Sequence, residues 1–415
     1  MTAATTALDP TVSGGAVALD WIEANGYPTR RDGAWRYAPH KELGALSFGP
    51  PVAQIAAMPD IDARVPALDG PRIVVVNGVV DVELSTMVAP AGVHLSSLAV
   101  ARSEQPELVA SHFGHDGDGI RDAYMALNLA FGGDGAVVRI DDDVTLEVPI
   151  HIVDVEIPDD SRNASCTGVI IAMGARSSAT IVETRIGTGA DFGGSNIRTT
   201  VTLGEDSSLE HVLLQDVPSN HVQLSDVDVH QAARSRFLAR SFNLGASFGR
   251  VAYHVDLNGP EAHTDLSGLF FGFGTQVLDQ QIDVVHAAEN CTSRQSFRGV
   301  LDDESTGIFN GGIDVRKGAD GTDAEQSNKN LILSDRAEIN TQPRLEILAD
   351  EVACKHGATV GQLDDAAMYY MRSRGIPANE ARRLLINGFA DQVVDDVGIE
   401  SVRDWITHRL GHDDV

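Results

Sequence analysis

The chain has 415 residues, of which 60 are Asp or Glu and 31 are Lys or Arg, so its formal net charge is −29 at pH 7. So acidic a protein repels nucleic acid and anionic membrane surfaces, which makes both poor candidate partners. The acidic residues are spread along the whole chain, which favours a protein kept soluble in a salty cytosol over an acidic surface made for one basic partner.

Several functional motifs are missing from the sequence. No apolar run approaches the ~20 residues of a membrane span, and Met1 to Thr6 show no signal pattern, so we expect a cytoplasmic protein. Cys166, Cys291 and Cys354 lie far apart without a Cys-x-x-Cys motif, which argues against disulfides and a self-contained zinc site. No P-loop motif occurs, so we expect any ATP to be bound by a partner and not by this chain.

Residues 1–134 predict an N-terminal domain that is mostly helical. Val17 to Ala24 forms a short amphipathic pattern that ends at an Asn-Gly pair, a helix-stop signal. Arg72 to Val80 carries Asn77-Gly78 between two apolar runs, which indicates a β-hairpin. Arg121 to Phe131 predicts a further helix, which the glycines after it terminate.

A loop from Tyr27 to Tyr37 lies within this domain and contains a proline, adjacent arginines and two large aromatic residues. We predict that Trp35 and Tyr37 anchor the loop by packing. Recognition of a partner is the alternative role for this loop.

Residues 135–357 predict a β-structured core, because short apolar or β-branched runs alternate there with Gly, Asn, Asp and Ser turns. Such strands suit a sandwich, a barrel or a parallel β-helix. Many of the turns are not the two-residue kind found in sequential hairpins, which favours the parallel β-helix. The predicted strands are 136–140, 145–148, 169–173, 180–184, 199–203, 209–215, 222–229, 237–244, 251–257, 266–271 and 277–286.

Polar residues recur along these strands, and we expect them to form exposed ladders on a solvated face of the solenoid. Acid pairs such as Asp302-Asp303 leave open a polysaccharide lyase or hydrolase, although surface acids are expected in so acidic a chain. The recurring polar residues are Thr180, Glu183, Thr200, Thr202, Glu210, His211, Gln215, His221, Gln223, His230 and Gln231.

The stretch from Asp350 to Leu363 joins the last predicted strand to helical sequence. If 353–356 end that strand, Cys354 and His356 point to one face and Lys355 points to the other. A thiol and an imidazole together can bind iron, zinc or copper. Simple packing is the alternative, because a structural metal site normally needs four protein ligands.

Residues 358–415 predict a C-terminal helical domain. Leu363 to Arg374 and Val402 to Leu410 have apolar residues at helical spacing, and a third helix begins near Pro377. These helices either cap the open end of the solenoid or offer an apolar groove to another protein.

Several long stretches resemble the SufB/SufD family of iron–sulfur cluster assembly scaffolds. The resemblance is dense from about residue 283 to residue 390 and thinner upstream. The matching stretches are 290–303, 307–313, 330–347, 354–364 and 369–376, with shorter matches at 28–31 and 35–37.

This resemblance implies a mainly β protein, a right-handed parallel β-helix flanked by N-terminal and C-terminal helical domains. It implies a non-catalytic subunit that pairs with SufB through the β-helices and carries the SufC ATPase on its C-terminal helices. It also implies an iron–sulfur cluster formed transiently at the SufB interface, with His356 as a ligand and Cys354 as its companion. A flavin in the complex and a homodimer of the isolated chain stay open.

One departure from the family pattern distinguishes its two branches. SufB has a cysteine shortly before a Leu-Leu-Ile-Gly-Asp run, and Asn328 stands at the corresponding place in this sequence. The chain is therefore expected to belong to the SufD branch, with a SufB-like homodimeric scaffold as the alternative. Cys166 and Cys291 match no functional family cysteine, so we expect both to be structural.

Overall fold

The computed structural model of the chain describes residues 14–49, 58–113, 119–158, 162–189 and 191–412. The first six residues, on which the prediction about a signal pattern depends, lie outside these ranges. Within these ranges, no helix is both long enough and apolar enough to cross a membrane.

Strands dominate the described residues, and helices lie mainly at the two ends of the chain. The strands are β1 (Ser47–Phe48), β2 (Arg72–Val76), β3 (Val79–Thr86), β4 (Val93–Ser97), β5 (Gly135–Ile140), β6 (Ile150–Glu156), β7 (Asn163–Met173), β8 (Ser178–Gly187), β9 (Gly193–Leu203), β10 (Ser208–Asp216), β11 (His221–Gln231), β12 (Arg236–Asn243), β13 (Phe248–Leu257), β14 (His263–Gly272), β15 (Val277–His286), β16 (Thr292–Leu301), β17 (Thr306–Val315), β18 (Thr322–Ile332), β19 (Glu338–Ile347) and β20 (Val352–Gly361). The helices are α1 (Gly15–Asn25), α2 (His40–Leu43), α3 (Leu98–Glu104), α4 (Pro106–Phe113), α5 (Ala123–Phe131), α6 (Asp365–Ser373), α7 (Ala378–Val394) and α8 (Glu400–His412), with a short 3₁₀ helix at Gly33–Trp35.

The core is a parallel β-solenoid, as the sequence predicts. From β5 onward, odd-numbered strands form one sheet and even-numbered strands form the other, and each strand pairs in parallel with the strand two places along the chain. Parallel in-register stacking keeps inward-facing residues in columns, so β-branched side chains pack on one another. One such buried column contains Val201, Val229, Val255, Val284 and Ile313.

One predicted strand position needs correction. Residues 145–148 contain only one isolated bridge, from Thr145 to Ser178, and not a full strand. The strand at this place is β6 instead, every residue of which is buried. Both faces of β6 are covered. A strand buried on both faces does not alternate regularly between apolar and polar residues, which is why the sequence pattern does not reveal it.

The first 134 residues mix strands with helices, where the sequence favours mostly helix. β2 and β3 form the predicted hairpin through Asn77 and Gly78, both at positive φ. β2 then pairs in parallel with β6, and β4 pairs antiparallel with β5, so these strands extend the two sheets. The N-terminal helices pack their apolar residues on the outer face of the odd-numbered sheet.

The C-terminal helices α7 and α8 pack against the outer face of the even-numbered sheet. Ile386, Ala390 and Ile406 form one buried cluster there with Phe242 and Val300 of the sheet. The alternative in which these helices cap the end of the solenoid is therefore wrong, because their apolar faces are occupied along the side of the sheet.

Most of the recurring polar residues are buried, so the expected solvated face is also wrong. In the solenoid interior, Glu183 accepts a hydrogen bond from His211 (2.8 Å) and pairs with Arg185 (3.0 Å). Burial alone would raise the pKa of Glu183, but His211 and Arg185 lower it to about 2, so the carboxylate stays charged. The buried members of the set are Glu183, Thr200, His211, Gln215, His221, Gln223 and Gln231.

Candidate functional site at the open end of the solenoid

The solenoid ends at β19 and β20, which are the last strands of the two sheets. Among the described residues, each pairs with another strand on one side only, so each presents unpaired backbone groups on the other side. We call β19 and β20 together the terminal rung. Apolar side chains are exposed at or beside it, with Ile347 at 39%, Leu348 at 55% and Val360 at 52% relative exposure.

Cys354, Lys355 and His356 lie in the first half of β20. Cys354 pairs in register with Ala324 and His356 with Gln326, two buried residues that face the interior of the preceding rung. The side chain of Lys355 lies on the opposite face, where its Nζ is 2.9 Å from Glu325. The alternation therefore follows the predicted pattern, although the strand continues to Gly361 and does not end at His356.

Cys354 is half-buried and packs against a small apolar cluster that contains Ile313, Val315 and Ala324. Burial raises the pKa of its thiol, and a backbone hydrogen bond from Ala324 only partly offsets this. Metals bind the thiolate, so ligation by Cys354 requires loss of the thiol proton, which burial disfavours.

His356 is exposed, although it stands on the face of β20 that continues the solenoid interior. It is exposed because no further rung of the described chain covers it. Directly below it lies the side chain of Gln326, whose Nε2 donates to Gln295 Oε1 (2.7 Å), while its own buried Oε1 has no hydrogen-bond partner among the described residues. The imidazole of His356 is therefore accessible to a metal that approaches the terminal rung.

The ligands at the terminal rung do not form a complete metal site. Within the ranges that the structure describes, no group of three or more His, Cys, Asp or Glu side chains is placed to hold a metal ion. Asn328 is buried on the neighbouring strand β18, and its Oδ1 accepts a hydrogen bond from Asn330 (2.6 Å). An amide engaged in this way does not replace a thiolate ligand.

The other two cysteines are buried away from the terminal rung. Cys166 lies between the odd-numbered sheet and the N-terminal helices, and Cys291 lies in the solenoid core. Burial raises the pKa of both thiols. Their surroundings are apolar packing, in agreement with structural roles.

Asp302 and Asp303 do not form an open carboxylate pair. Asp302 is 2.6 Å from Arg382 of α7, and the Asp303 carboxylate accepts a hydrogen bond from the backbone N–H of Gly274 (2.9 Å). Both carboxylates are used to hold a helix and a turn in place, so they give no support to a lyase.

Comparison with known protein families shows to which family the chain belongs. The family model for the SUF system FeS cluster assembly SufBD core domain matches residues 156–389, more than half of the chain, and that for the SufBD N-terminal region matches residues 15–152. The chain belongs to the SufBD family.

Similar proteins cover most of this SufBD-family chain. A SufBD family protein of Synechocystis is 29% identical over 93% of this chain and 87% of its own length. The iron–sulfur cluster assembly protein SufD of Escherichia coli is 27% identical over 95% of this chain and 90% of its own length. SufD of Bacillus subtilis is 30% identical over 77% of this chain and 74% of its own length. These relatives confirm the family resemblance and support a role in iron–sulfur cluster assembly.

Two features of the terminal rung of this SufBD-family chain are not predicted from sequence. Gln326 is one of many polar residues in the strands, and nothing in its sequence neighbours shows that its carbonyl oxygen is left unpaired beneath His356. The exposure of the terminal rung is the second feature. The change from strand pattern to helix pattern after residue 361 is a signal for it, since the last strand of a parallel stack must have an unpaired edge.

Proposed function

We propose that the chain is a non-catalytic subunit of the SUF iron–sulfur cluster assembly machinery and contributes His356 to a nascent cluster at its contact with a SufB-type subunit. One observation carries this proposal: His356 is an exposed imidazole on the inward-facing side of an edge strand, with too few neighbouring ligands in the described chain to hold a metal alone. The remaining ligands then come from the subunit that covers the terminal rung.

Within this proposal, His356 and Cys354 have unequal roles. The exposed imidazole of His356 is open to an approaching iron ion, whereas the thiol of Cys354 is half-buried against an apolar cluster. His356 is therefore the principal ligand of this chain, and Cys354 joins only when a bound iron ion displaces its proton. The cluster is cargo that leaves for other proteins.

The SufB-type subunit is proposed to dock by adding a strand to the terminal rung. β20 offers ten consecutive residues without a proline, whereas Pro343 interrupts β19 and removes one backbone donor. Strand addition is a common way for proteins to pair, because unpaired edge groups gain hydrogen bonds. Docking on β20 would place the partner's residues beside His356.

The SufC-type ATPase is proposed to bind residues 358–415, while residues 1–134 and 135–357 act as the N-terminal domain and the β-helix core. α6 has no buried residue, and Tyr369 and Tyr370 on it are 76% and 59% exposed. Leu384 on α7 adds a further exposed apolar side chain at 41%. Large exposed aromatic residues are enriched at protein interfaces, which supports docking on these helices.

The test is the replacement His356→Ala in the complex of this chain with its SufB-type and SufC-type subunits. After anaerobic reconstitution with iron and sulfide and desalting, we expect the complex to retain much less iron than the wild type, since losing even an outer-shell partner of a metal lowers its affinity about tenfold. Co-elution of the three subunits should not change, because the imidazole is exposed and its removal leaves no cavity in the described fold.

The matched control is His94→Ala, which removes another exposed histidine on β4, at the opposite end of the odd-numbered sheet. It should leave the iron content unchanged. Equal iron content in the His356→Ala complex and the wild type would refute the proposal. Cluster assembly by the isolated chain would instead support a SufB-like homodimeric scaffold.

A further inference from the structure

The turn that contains Arg30 and Arg31 is closed by hydrogen bonds between Thr29 and Asp32. The carboxylate of Asp32 accepts hydrogen bonds from the backbone N–H of Thr29 (2.7 Å) and from its hydroxyl (3.0 Å), and the N–H of Asp32 returns to the carbonyl of Thr29 (3.0 Å). The two arginines therefore lie at the tip of a closed turn. These hydrogen bonds lower the pKa of Asp32, so its carboxylate stays ionised within the turn.

The residues after the turn are anchored to the body of the protein. The ring of Trp35 is buried, with the ring of Tyr124 at 4.8 Å and the guanidinium carbon of Arg250 at 4.0 Å from its centre. Arg250 also donates a hydrogen bond to the carbonyl oxygen of Ala34 (2.9 Å). The sequence predicts that both Trp35 and Tyr37 are packing anchors, and this is confirmed for Trp35. For Tyr37 it is wrong, because that side chain is 42% exposed.

Three positive charges in this segment are left without a partner. Arg30, Arg31 and Arg36 are exposed, and none forms an ion pair with a carboxylate in the described part of the chain. Some exposed arginines on the turns of the solenoid are paired, as Arg176 is with Asp143 and Arg234 with Asp206. In a chain with a net charge of −29, three unpaired arginines within seven residues form a local positive patch, and no ion pair of the described chain uses them.

The segment lies beside the terminal rung. Gly33 and Ala34 line a groove of about 210 Å³ together with Gln342 and Arg344 of β19. A subunit that covers the terminal rung would therefore come close to the turn. Arginine and tyrosine are the residues that most often dominate binding energy at interfaces, and both are exposed in this segment.

We propose that the Arg30-Arg31 turn, with Arg36 and Tyr37, binds a carboxylate-bearing segment of the subunit that docks on the terminal rung. This inference rests on the proposed docking of a SufB-type subunit there. The preformed turn costs little ordering entropy on binding, and its positive charge speeds the approach of an acidic segment to an otherwise repulsive surface. It also helps select the correct partner, because like charges elsewhere on the chain oppose other acidic proteins.

The test compares association rates of the SufB-type subunit with four forms of the full chain, measured by stopped-flow fluorescence in low and high salt. They are the wild type, Arg30→Glu with Arg31→Glu, the control Arg236→Glu with Arg383→Glu, and Val360→Asp. Both double variants change the net charge by the same amount, and the control arginines are exposed on β12 and α7. Among the described residues, none of the four substituted arginines has an ion pair to lose, so we expect each double variant to unfold at the wild-type temperature.

We expect the Arg30→Glu, Arg31→Glu variant to associate about tenfold more slowly than the control at about 50 mM NaCl, with the difference shrinking to about twofold at about 500 mM as salt screens the charges. Association rates equal to those of the control would overturn the inference. The inference would also be overturned if the Arg30→Glu, Arg31→Glu variant associated with the partner as the control does but lost binding of inorganic phosphate. The turn would then be a site for a small anion.

Val360→Asp separates this inference from the proposed function. If Val360→Asp abolishes partner binding while the turn variant behaves like its control, the inference fails and docking on the terminal rung stands. If Val360→Asp binds the partner as the wild type does, docking on the terminal rung fails, and the carboxylate-bearing segment is then not held beside that rung.

Discussion

Three buried histidines make the stability of the chain sensitive to acid. Burial lowers the pKa of His151 to about 3 and of His221 and His286 to about 4. In the unfolded chain their pKa is about 6.5. Between these values the unfolded state binds protons that the folded state does not, so the free energy of unfolding falls as the pH drops below about 6.5.

The replacement His151→Gln tests this at one residue. In the wild type, His151 should remove about 2 kcal/mol of stability between about pH 7 and pH 5. The variant should be less stable at pH 7, because glutamine does not reproduce the buried ring or the geometry of its hydrogen bond with the Thr184 hydroxyl (2.8 Å). Its further loss of stability on acidification should be smaller than that of the wild type by about 2 kcal/mol.

Urea unfolding of both forms at the two pH values gives the answer. Asp154, whose pKa burial raises to about 6, acts in the opposite direction, but it is present in both forms and cancels in the comparison. An identical loss of stability on acidification in the two forms would show that His151 does not titrate as its burial requires.

The C-terminal helices show why burial must be known before a surface variant is chosen. Leu385 of α7 is half-buried, so a charge there would disturb the packing of that helix. Tyr369 and Leu384 are exposed, at 76% and 41%, and serve better.

We expect Tyr369→Glu with Leu384→Glu to weaken binding of the SufC-type ATPase by at least about tenfold, because a charge opposes burial of an apolar contact. Val100→Glu is the control, since Val100 is 44% exposed on α3, far along the chain from α6. Isothermal titration calorimetry measures the affinities. If the double variant binds as tightly as the control, the terminal helices are not the docking surface.

Among the strands and helices, the sequence predicts those whose formation depends on a local residue pattern. Most of the strands from β5 to β15, the Asn77-Gly78 hairpin and all three C-terminal helices follow from alternation, turn residues and helical spacing. These local patterns do not show whether a polar residue of a strand points into the solenoid or towards solvent. Glu183 and His211 look like members of a solvated ladder, and only the register between rungs shows that they point inward and satisfy each other.

At the scale of the whole molecule, the two ends of the solenoid differ. At the N-terminal end, β3 and β4 join the sheets in antiparallel pairing, whereas at the other end β19 and β20 follow the parallel stacking and stop. Residues 354–356 predict a thiol and an imidazole on one face. The incompleteness of that ligand set depends on where all the other donors lie, which a single sequence does not reveal.

Hydrogen–deuterium exchange of the β20 backbone amides shows whether a second subunit completes the terminal rung. Comparing the free chain with its complex with the SufB-type subunit, we expect exchange in Val352–Gly361 to slow by at least about tenfold as edge groups gain hydrogen bonds. Exchange in β3, the edge strand at the opposite end of the same sheet, should not change. Unchanged exchange in β20 within a complex that has formed would show that the second subunit does not add a strand to the terminal rung.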